Sequence, residues 1–397
     1  MSCDKTCASV DELFRWEVDS TGGVIIAAFL DDKASSVDVP AQIDGKPVVE
    51  IGPGAFSLRR ALTKISLPDG VRKLGSNAFS RLPALTEILL PDGLQTIGNK
   101  AFYACKALTE IRLPDGLETL GDGAFGDCGS LSAVRVPASL RHIGDGAFSG
   151  CGSLAEIRLP DGLQTLGSAV FKFCGSLAEV VLPSGLETLG GGVFPGRWAA
   201  LDVSPENKNF RSVDGVLFSA DGKTLVAYPP GAKATVYDVP DGVERVEADA
   251  FGEWAPLSKV RFPSGFQTLG DRAFFECLCL SEVRFADGLR SVGADAFYGC
   301  WALNEINLPN GLESIGDGAF RGCASLTEIA LPDGLESVGA FAFYVCRKLR
   351  KIRLPADLQR IGDRAFSGRS PDLTFAVAAG SYAEEYAQEN GIRFEVY

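Results

Sequence analysis

Cysteine has the most regular spacing of the residue types that could do chemistry here. Eight of the eleven cysteines, Cys105, Cys128, Cys151, Cys174, Cys277, Cys300, Cys323 and Cys346, each stand three residues after a phenylalanine. Such a column could be a disulfide or thiolate–metal array, or a row of small apolar side chains. Leu82 and Trp254 occupy the same slot elsewhere in the sequence. The slot therefore accepts apolar groups, and a buried, reduced column is the expected reading. Cys3, Cys7 and Cys279 are left over. Cys3-x-x-x-Cys7 has no nearby His or second Cys pair, so no zinc site is expected there. An odd cysteine total without disulfide-type spacing suits a reducing compartment.

The other reactive residues assemble nothing. The one histidine, His142, lies at a polar position between Leu140 and Ile143, where neighbouring repeats carry Thr119 and Thr165; a surface residue is expected. Gly121-Asp122-Gly123-Ala124-Phe125-Gly126 fits G-x-G-x-x-G, but no parallel strand–helix crossover surrounds it. Gly222-Lys223-Thr224 resembles the end of a phosphate-binding loop, yet Leu217 stands where its first glycine belongs. Aspartates after a proline (Asp69, Asp92, Asp115, Asp161, Asp241, Asp287, Asp333) recur singly. Calcium needs six to eight oxygens, so turn formation explains them better. No catalytic residue, metal site or cofactor is expected.

Composition narrows the partners. The 397 residues carry 51 Asp+Glu against 38 Lys+Arg, a formal net charge of −13. An acidic balance without basic blocks disfavours nucleic acid and anionic membranes. No apolar run approaches the roughly 20 residues of a membrane span. The opening Met1-Ser2-Cys3-Asp4-Lys5-Thr6-Cys7 contains no apolar stretch of a secretory signal.

These residues are positioned by a 23-residue period. Its marker is the phenylalanine of an Ala-Phe or Val-Phe pair: Phe56, Phe79, Phe102, Phe125, Phe148, Phe171 and Phe194, then Phe251, Phe274, Phe297, Phe320, Phe343 and Phe366. One unit, Leu108 to Ser130, reads L-T-E-I-R-L-P-D-G-L-E-T-L-G-D-G-A-F-G-D-C-G-S. Glu110-Ile111-Arg112-Leu113 alternates as a half-buried strand does. Pro114 ends it, and Asp115-Gly116 turns the chain. Leu117-x-x-Leu120 is expected to return to the core as a second short strand. Gly121-Asp122 is expected to open a helical turn, with Asp122 capping its free amides. Ala124, Phe125 and Cys128 then point inward. One unit cannot cover its own apolar residues, so successive units must stack into a solenoid with one core.

The pattern L-x-x-I-x-L-P-x-G-L-x-x-I/L-G-x-x-A-F-x-x-C resembles the BspA-like, Treponema-type leucine-rich repeats, from about Phe14 to Tyr397. The resemblance implies a curved, β-rich leucine-rich repeat solenoid with a short strand and a helical turn per unit. It also implies binding in place of catalysis, commonly as a bacterial surface protein or adhesin that meets host or matrix proteins. Cell-surface or secreted placement follows from the resemblance, and the absent signal segment keeps the cytoplasm as the alternative.

The expected organisation is a tail (1–13), an N-terminal cap hairpin with the first repeat (14–61), a repeat block (62–194), a hairpin insert (195–239), a second block (240–372) and a strand–helix–strand C-terminal cap (373–397). The insert's Trp198, Phe210, Phe218 and Tyr228 are expected to be partly exposed, sealing a joint or forming a contact patch. Two columns flank the central residue of each first strand. The earlier holds Glu87, Glu110, Glu156 and Glu282; the later holds Arg112, Arg135, Arg158, Arg261, Arg284 and Arg353. They read as a solvated ion-pair ladder, as a partner-binding face, or as both. The expected function is a non-catalytic, monomeric scaffold binding an unidentified protein. A carbohydrate-binding module is the alternative, and a hydrolase with an unrecognised site a remote one.

Overall fold

The computed structural model describes residues 10–194, 201–229, 231–252 and 256–397. Each period is one coil of a β-solenoid, in most coils two short strands and a run of turns; in the unit from Leu154 the first strand is reduced to a single bridge, Glu156 to Ala133. In the unit from Leu108, the first strand is Glu110–Arg112 and the second Thr119–Leu120. Ile111 and Leu120 face inward while Glu110 and Arg112 face solvent, as the period-two geometry of a strand dictates. Between the strands the Pro114 carbonyl accepts the Leu117 N–H at 3.0 Å, closing the Asp115-Gly116 turn. Coils pair in parallel and in register, Ile111 with Val134 and Leu120 with Ile143. Each side chain therefore stacks on its equivalent one coil away.

The second strands form the more continuous sheets. One sheet runs through Phe14–Val18, Val24–Phe29 and Lys46–Ile51 and continues from Lys73–Leu74 to Thr188–Leu189. The other runs through Phe210–Val213, Val216–Ser219 and Thr224–Ala227 and continues from Arg245–Val246 to Arg360–Ile361. The first strands pair in shorter sheets of two to four.

The expected helical turn is not helical. Among the described residues the helices are Val10–Leu13 and Tyr382–Glu389 alone. After Gly121 the backbone alternates in handedness, with Gly123 and Asp127 both at φ 58°. The N–H groups of Gly123, Phe125 and Asp127 donate to Asp145, Ala147 and Ser149 of the next coil at 2.7–2.8 Å. Those of Ala124, Gly126 and Cys128 donate within the coil, to Gly121, Gly123 and Phe125. A helix would spend all its N–H groups on its own carbonyls. Here half of them join coil to coil, so every amide in the run is satisfied. Asp122 likewise caps a neighbour and not its own turn: its carboxylate accepts the Asp145 N–H at 3.0 Å, and Asp145 accepts the Ser168 N–H at 2.7 Å. Gly121 is required by proximity, because a Cβ there would lie 2.5 Å from the Asn99 nitrogen.

The core is a stack of aromatic rings. From Phe29 to Phe171, and from Tyr228 to Phe366, successive ring centroids lie 4.2–6.1 Å apart in stacked geometry. Offset stacking adds to the apolar burial of each ring. Beside it the eight column cysteines are free and buried. Seven of their thiols donate to the carbonyl of a phenylalanine one coil back, as Cys128 Sγ does to Phe102 at 3.1 Å. Cys277 reaches the Gly252 carbonyl. Cysteine therefore fills the slot with an apolar body and supplies a weak donor to a buried carbonyl.

By contacts the described residues fall into two compact units, 10–194 with 202–208, and 201 with 209–397. Each unit starts its long sheet with an antiparallel hairpin. In the first, Phe14–Val18 pairs with Val24–Phe29, which then pairs in parallel with Lys46–Ile51. In the second, Phe210–Val213 and Val216–Ser219 meet at Asp214-Gly215, both at positive φ, and Thr224–Ala227 leads into Arg245–Val246. Tyr228 stands one period before Phe251 and stacks on it at 5.4 Å, so the periodic register begins inside the segment read as an insert. Phe218 and Tyr228 are buried in the core and not partly exposed, Phe210 is half-buried, and Trp198 lies outside the described residues. At the C-terminus, strand Thr374–Val377, helix Tyr382–Glu389 and the parallel strand Arg393–Val396 close the second unit. Ser381 caps the helix by accepting the Glu384 N–H.

Candidate binding face

The first strands present both columns to solvent, and the two units use them differently. In the second unit the columns are tied together. Lys259 Nζ lies 2.6 Å from Glu282, Glu282 also pairs with Arg284, and Arg284 lies 3.0 Å from Glu305. Arg261 pairs with Asp238 at 3.1 Å. Glu282, expected on the open face, is only 6% exposed. The Lys259 ammonium that hydrogen-bonds it, with Arg284 beside it, holds its carboxyl below the usual range. Arg353 is also committed: it lies 2.8 Å from Asp333 and covers the Tyr397 ring at 4.9 Å. The long cationic side chain lies between the Tyr397 ring of the C-terminal cap and the Asp333 carboxylate of the preceding coil's turn.

The first unit is different. Lys64 pairs with Glu87 at 2.8 Å. Beyond that pair come Arg112, Arg135 and Arg158, all exposed. Arg112 and Arg135 sit opposite each other across the parallel pair of strands. Among the described residues none of these three arginines forms an ion pair, and neither Glu110 nor Glu156 does. Two exposed aliphatic side chains lie in the same column, Leu89 at 56% and Val181 at 50%. Like charges set opposite one another in a sheet repel, so this stretch is held in place by the fold beneath it and not by internal pairing.

Among the described residues the reactive groups do not gather into a site. Burial drives the thiol pKa of Cys105, Cys174 and Cys346 up to about 12. Such thiols are almost wholly un-ionised at neutral pH and are poor nucleophiles. His142 is exposed in its two-residue strand, with Nδ1 3.3 Å from Thr165 Oγ1. Cys3 and Cys7 lie outside the described residues. Among the described residues no group of three or more His, Cys, Asp and Glu could hold a metal ion. No helix among them is long and apolar enough to cross a membrane.

The family model for the BspA type leucine rich repeat region matches residues 27–105, 81–199 and 234–373, in six copies. The chain belongs to the BspA-type leucine-rich repeat family. Comparison with curated proteins gave no match. A leucine-rich repeat protein from Bacteroides ovatus is 26% identical with a TM-score of 0.53, covering 98% of this chain and 99% of its own. The pneumococcal vaccine antigen PcpA is 21% identical with a TM-score of 0.67, over 97% of this chain and 96% of its own. A leucine rich cell surface protein from Faecalibacterium prausnitzii is 22% identical with a TM-score of 0.62 over the full length of both chains. The last two share the BspA-type fold.

Within this BspA-type solenoid, sequence reasoning placed Glu87, Glu110, Arg112, Arg135, Glu156 and Arg158 on the exposed face, where the structure has them. It placed Glu282, which pairs with Lys259 and Arg284, but missed the other acids that neutralise the second unit. Asp238 and Asp333 come from the neighbouring segments, not from the glutamate column, and Glu395, which pairs with Lys351, comes from the cap. The signal for Asp238 was present, since it stands one period before Arg261 and pairs with it in register.

Proposed function

We propose that the protein is a repeat scaffold that binds another protein through the first-strand face of its first unit. The supporting observation is the run of Arg112, Arg135 and Arg158 on successive coils, with Arg112 and Arg135 paired in register, none of them in an ion pair among the described residues, and bracketed by exposed Leu89 and Val181. Guanidinium groups held at strand spacing, about 4.8 Å, suit a partner that offers carboxylates flanked by apolar side chains. Glu110 and Glu156 beside them set which charges such a partner can carry. Surface display and an adhesin-like role, as the family resemblance implies, are part of the proposal. Capture of matrix proteins by the immobilised chain tests it. Arg112→Glu/Arg135→Glu/Arg158→Glu should lose the captured protein, and 0.5 M salt should release it by screening. Capture that persists in the triple variant refutes the assignment of the face.

A further inference from the structure

The turns of the first unit carry a recess of about 340 Å³, open to solvent and lined by Ser57, Leu58, Asn77, Ser80, Arg81, Lys100 and Tyr103. Its origin is a change of side-chain size along one column. The residue after the repeat phenylalanine is Ser57, then Ser80, then Tyr103. Two small side chains followed by a large one leave a recess, and the tyrosine forms its wall. In the second unit the same slot holds Phe275, Tyr298, Arg321 and Tyr344. There Phe275 stacks on Tyr298 at 4.7 Å, and Arg321 lies 5.2 Å from both tyrosine rings. The stack fills its own space and covers its ring faces, so the recess belongs to the first unit's turns.

The lining is polar and cationic. Arg81 and Lys100 make no ion pair among the described residues, in a chain of net charge −13. No carboxylate lines the cavity; the nearest acid in the hydrogen-bond network, Asp127, is engaged by the Tyr103 hydroxyl. Ser80, small and only 4% exposed, also lines the recess, and among the described residues no buried side-chain nitrogen or oxygen is left without a partner. Ser57 spends its hydroxyl proton on the Ser80 carbonyl at 3.3 Å and keeps its lone pairs. Asn77, also in the lining, carries a side-chain amide with both donor and acceptor capacity. Leu58, 51% exposed, gives one apolar edge.

We propose that this cavity binds an acidic sugar of the uronic-acid class. The carboxylate pairs with the Arg81 fork and the Lys100 ammonium. The ring hydroxyls exchange hydrogen bonds with Ser57, Asn77 and Ser80, and the C–H face of the ring rests on Leu58. The volume lies at the lower end of small-molecule sites, about 300–1,000 Å³, which suits one monosaccharide unit. The site lies in the turns, not on the strand face, and stands or falls independently of the protein-binding reading.

Titration calorimetry of the full chain with glucuronic acid, glucose and sodium acetate tests the proposal. Saturable glucuronate binding is expected, with glucose and acetate each at least about tenfold weaker, because each lacks half of the matched contacts. Arg81 and Lys100 both have left-handed backbones (φ 60° and 56°), and glycine takes their slots at Gly150 and Gly123. Arg81→Gly and Lys100→Gly should therefore fold, with unchanged circular dichroism, and each should weaken glucuronate about tenfold or more. No glucuronate binding, acetate binding as tightly as glucuronate, or unchanged affinity in both glycine variants would each overturn the proposal.

Discussion

At the scale of single residues, the column cysteines are packing groups whose protons stay on. Burial raises Cys105, Cys174 and Cys346 to about 12. An unfolded thiol ionises near 8.5. Folding therefore favours the protonated form. The resulting stability is complete below the unfolded value and is lost as pH rises from about 9 toward about 12. Urea midpoints measured from pH 7 to pH 11 should fall above pH 9, and a Cys105→Ala/Cys174→Ala/Cys346→Ala variant should show a shallower fall. Maleimide labelling of the native protein at pH 7, mapped by mass spectrometry, should modify exposed Cys279 and spare all eight column thiols until denaturant is added. The left-handed turn positions allow a second test. Ala104 sits at φ 59° and Gly146 at the same angle in the coils' paired turn slots. Ala104→Gly should stabilise, and Gly146→Ala destabilise, by about 1 kcal/mol each, read from urea unfolding.

At the scale of elements, the coil is defined by what it shares with its neighbours. Phe125 is fully buried and stacked on Phe102 and Phe148 at 5.1 and 5.6 Å. Phe125→Ala should cost about 3–5 kcal/mol, measured by thermal and urea unfolding. Gly144→Ala should be at least as damaging as a typical overpacking change, about 1–3 kcal/mol, because the new Cβ meets the Asp122 nitrogen at 2.6 Å. The strands, the phenylalanine stack and the cysteine column were legible in the sequence because each repeats a residue type at a fixed place. The turn was not. Its left-handed slots hold Gly123, Lys100, Ala169, Arg272 and Phe341 indifferently, so no composition marks them; the handedness is set by hydrogen bonds to the next coil. Asp122 was recognised as a cap, but single-coil reasoning could not show that the amide it caps lies 23 residues on. The cavity was missed for a similar reason. It arises from the contrast Ser57, Ser80, Tyr103 between coils, not from any motif within one.

At the scale of the molecule, two units repeat one construction. Each opens with an antiparallel hairpin that hands over to a parallel ladder, and the second closes with the strand–helix–strand cap. A fragment of residues 209–397 contains its own hairpin, aromatic stack and cap, and should fold alone with a cooperative thermal transition; a non-cooperative melt would contradict that autonomy. The two units divide the charged columns between structure and exposure. Asp238 of the hairpin segment engages Arg261, Asp333 of a turn engages Arg353, and Glu395 of the cap engages Lys351, whereas Arg112, Arg135 and Arg158 meet no acid among the described residues. Sequence columns alone could not reveal this split, because the neutralising Asp333 and Glu395 lie outside the columns themselves.

The most direct test is the affinity of the full chain for a fluorescein-labelled poly-glutamate peptide, followed by anisotropy at 50 mM and 200 mM salt. The wild-type protein and an Arg261→Glu/Arg284→Glu variant should bind alike, more weakly at the higher salt. Arg112→Glu/Arg135→Glu/Arg158→Glu should abolish binding while leaving the melting transition in place. Equal affinity in all three proteins would contradict the assignment of the first unit's strand face as the working surface.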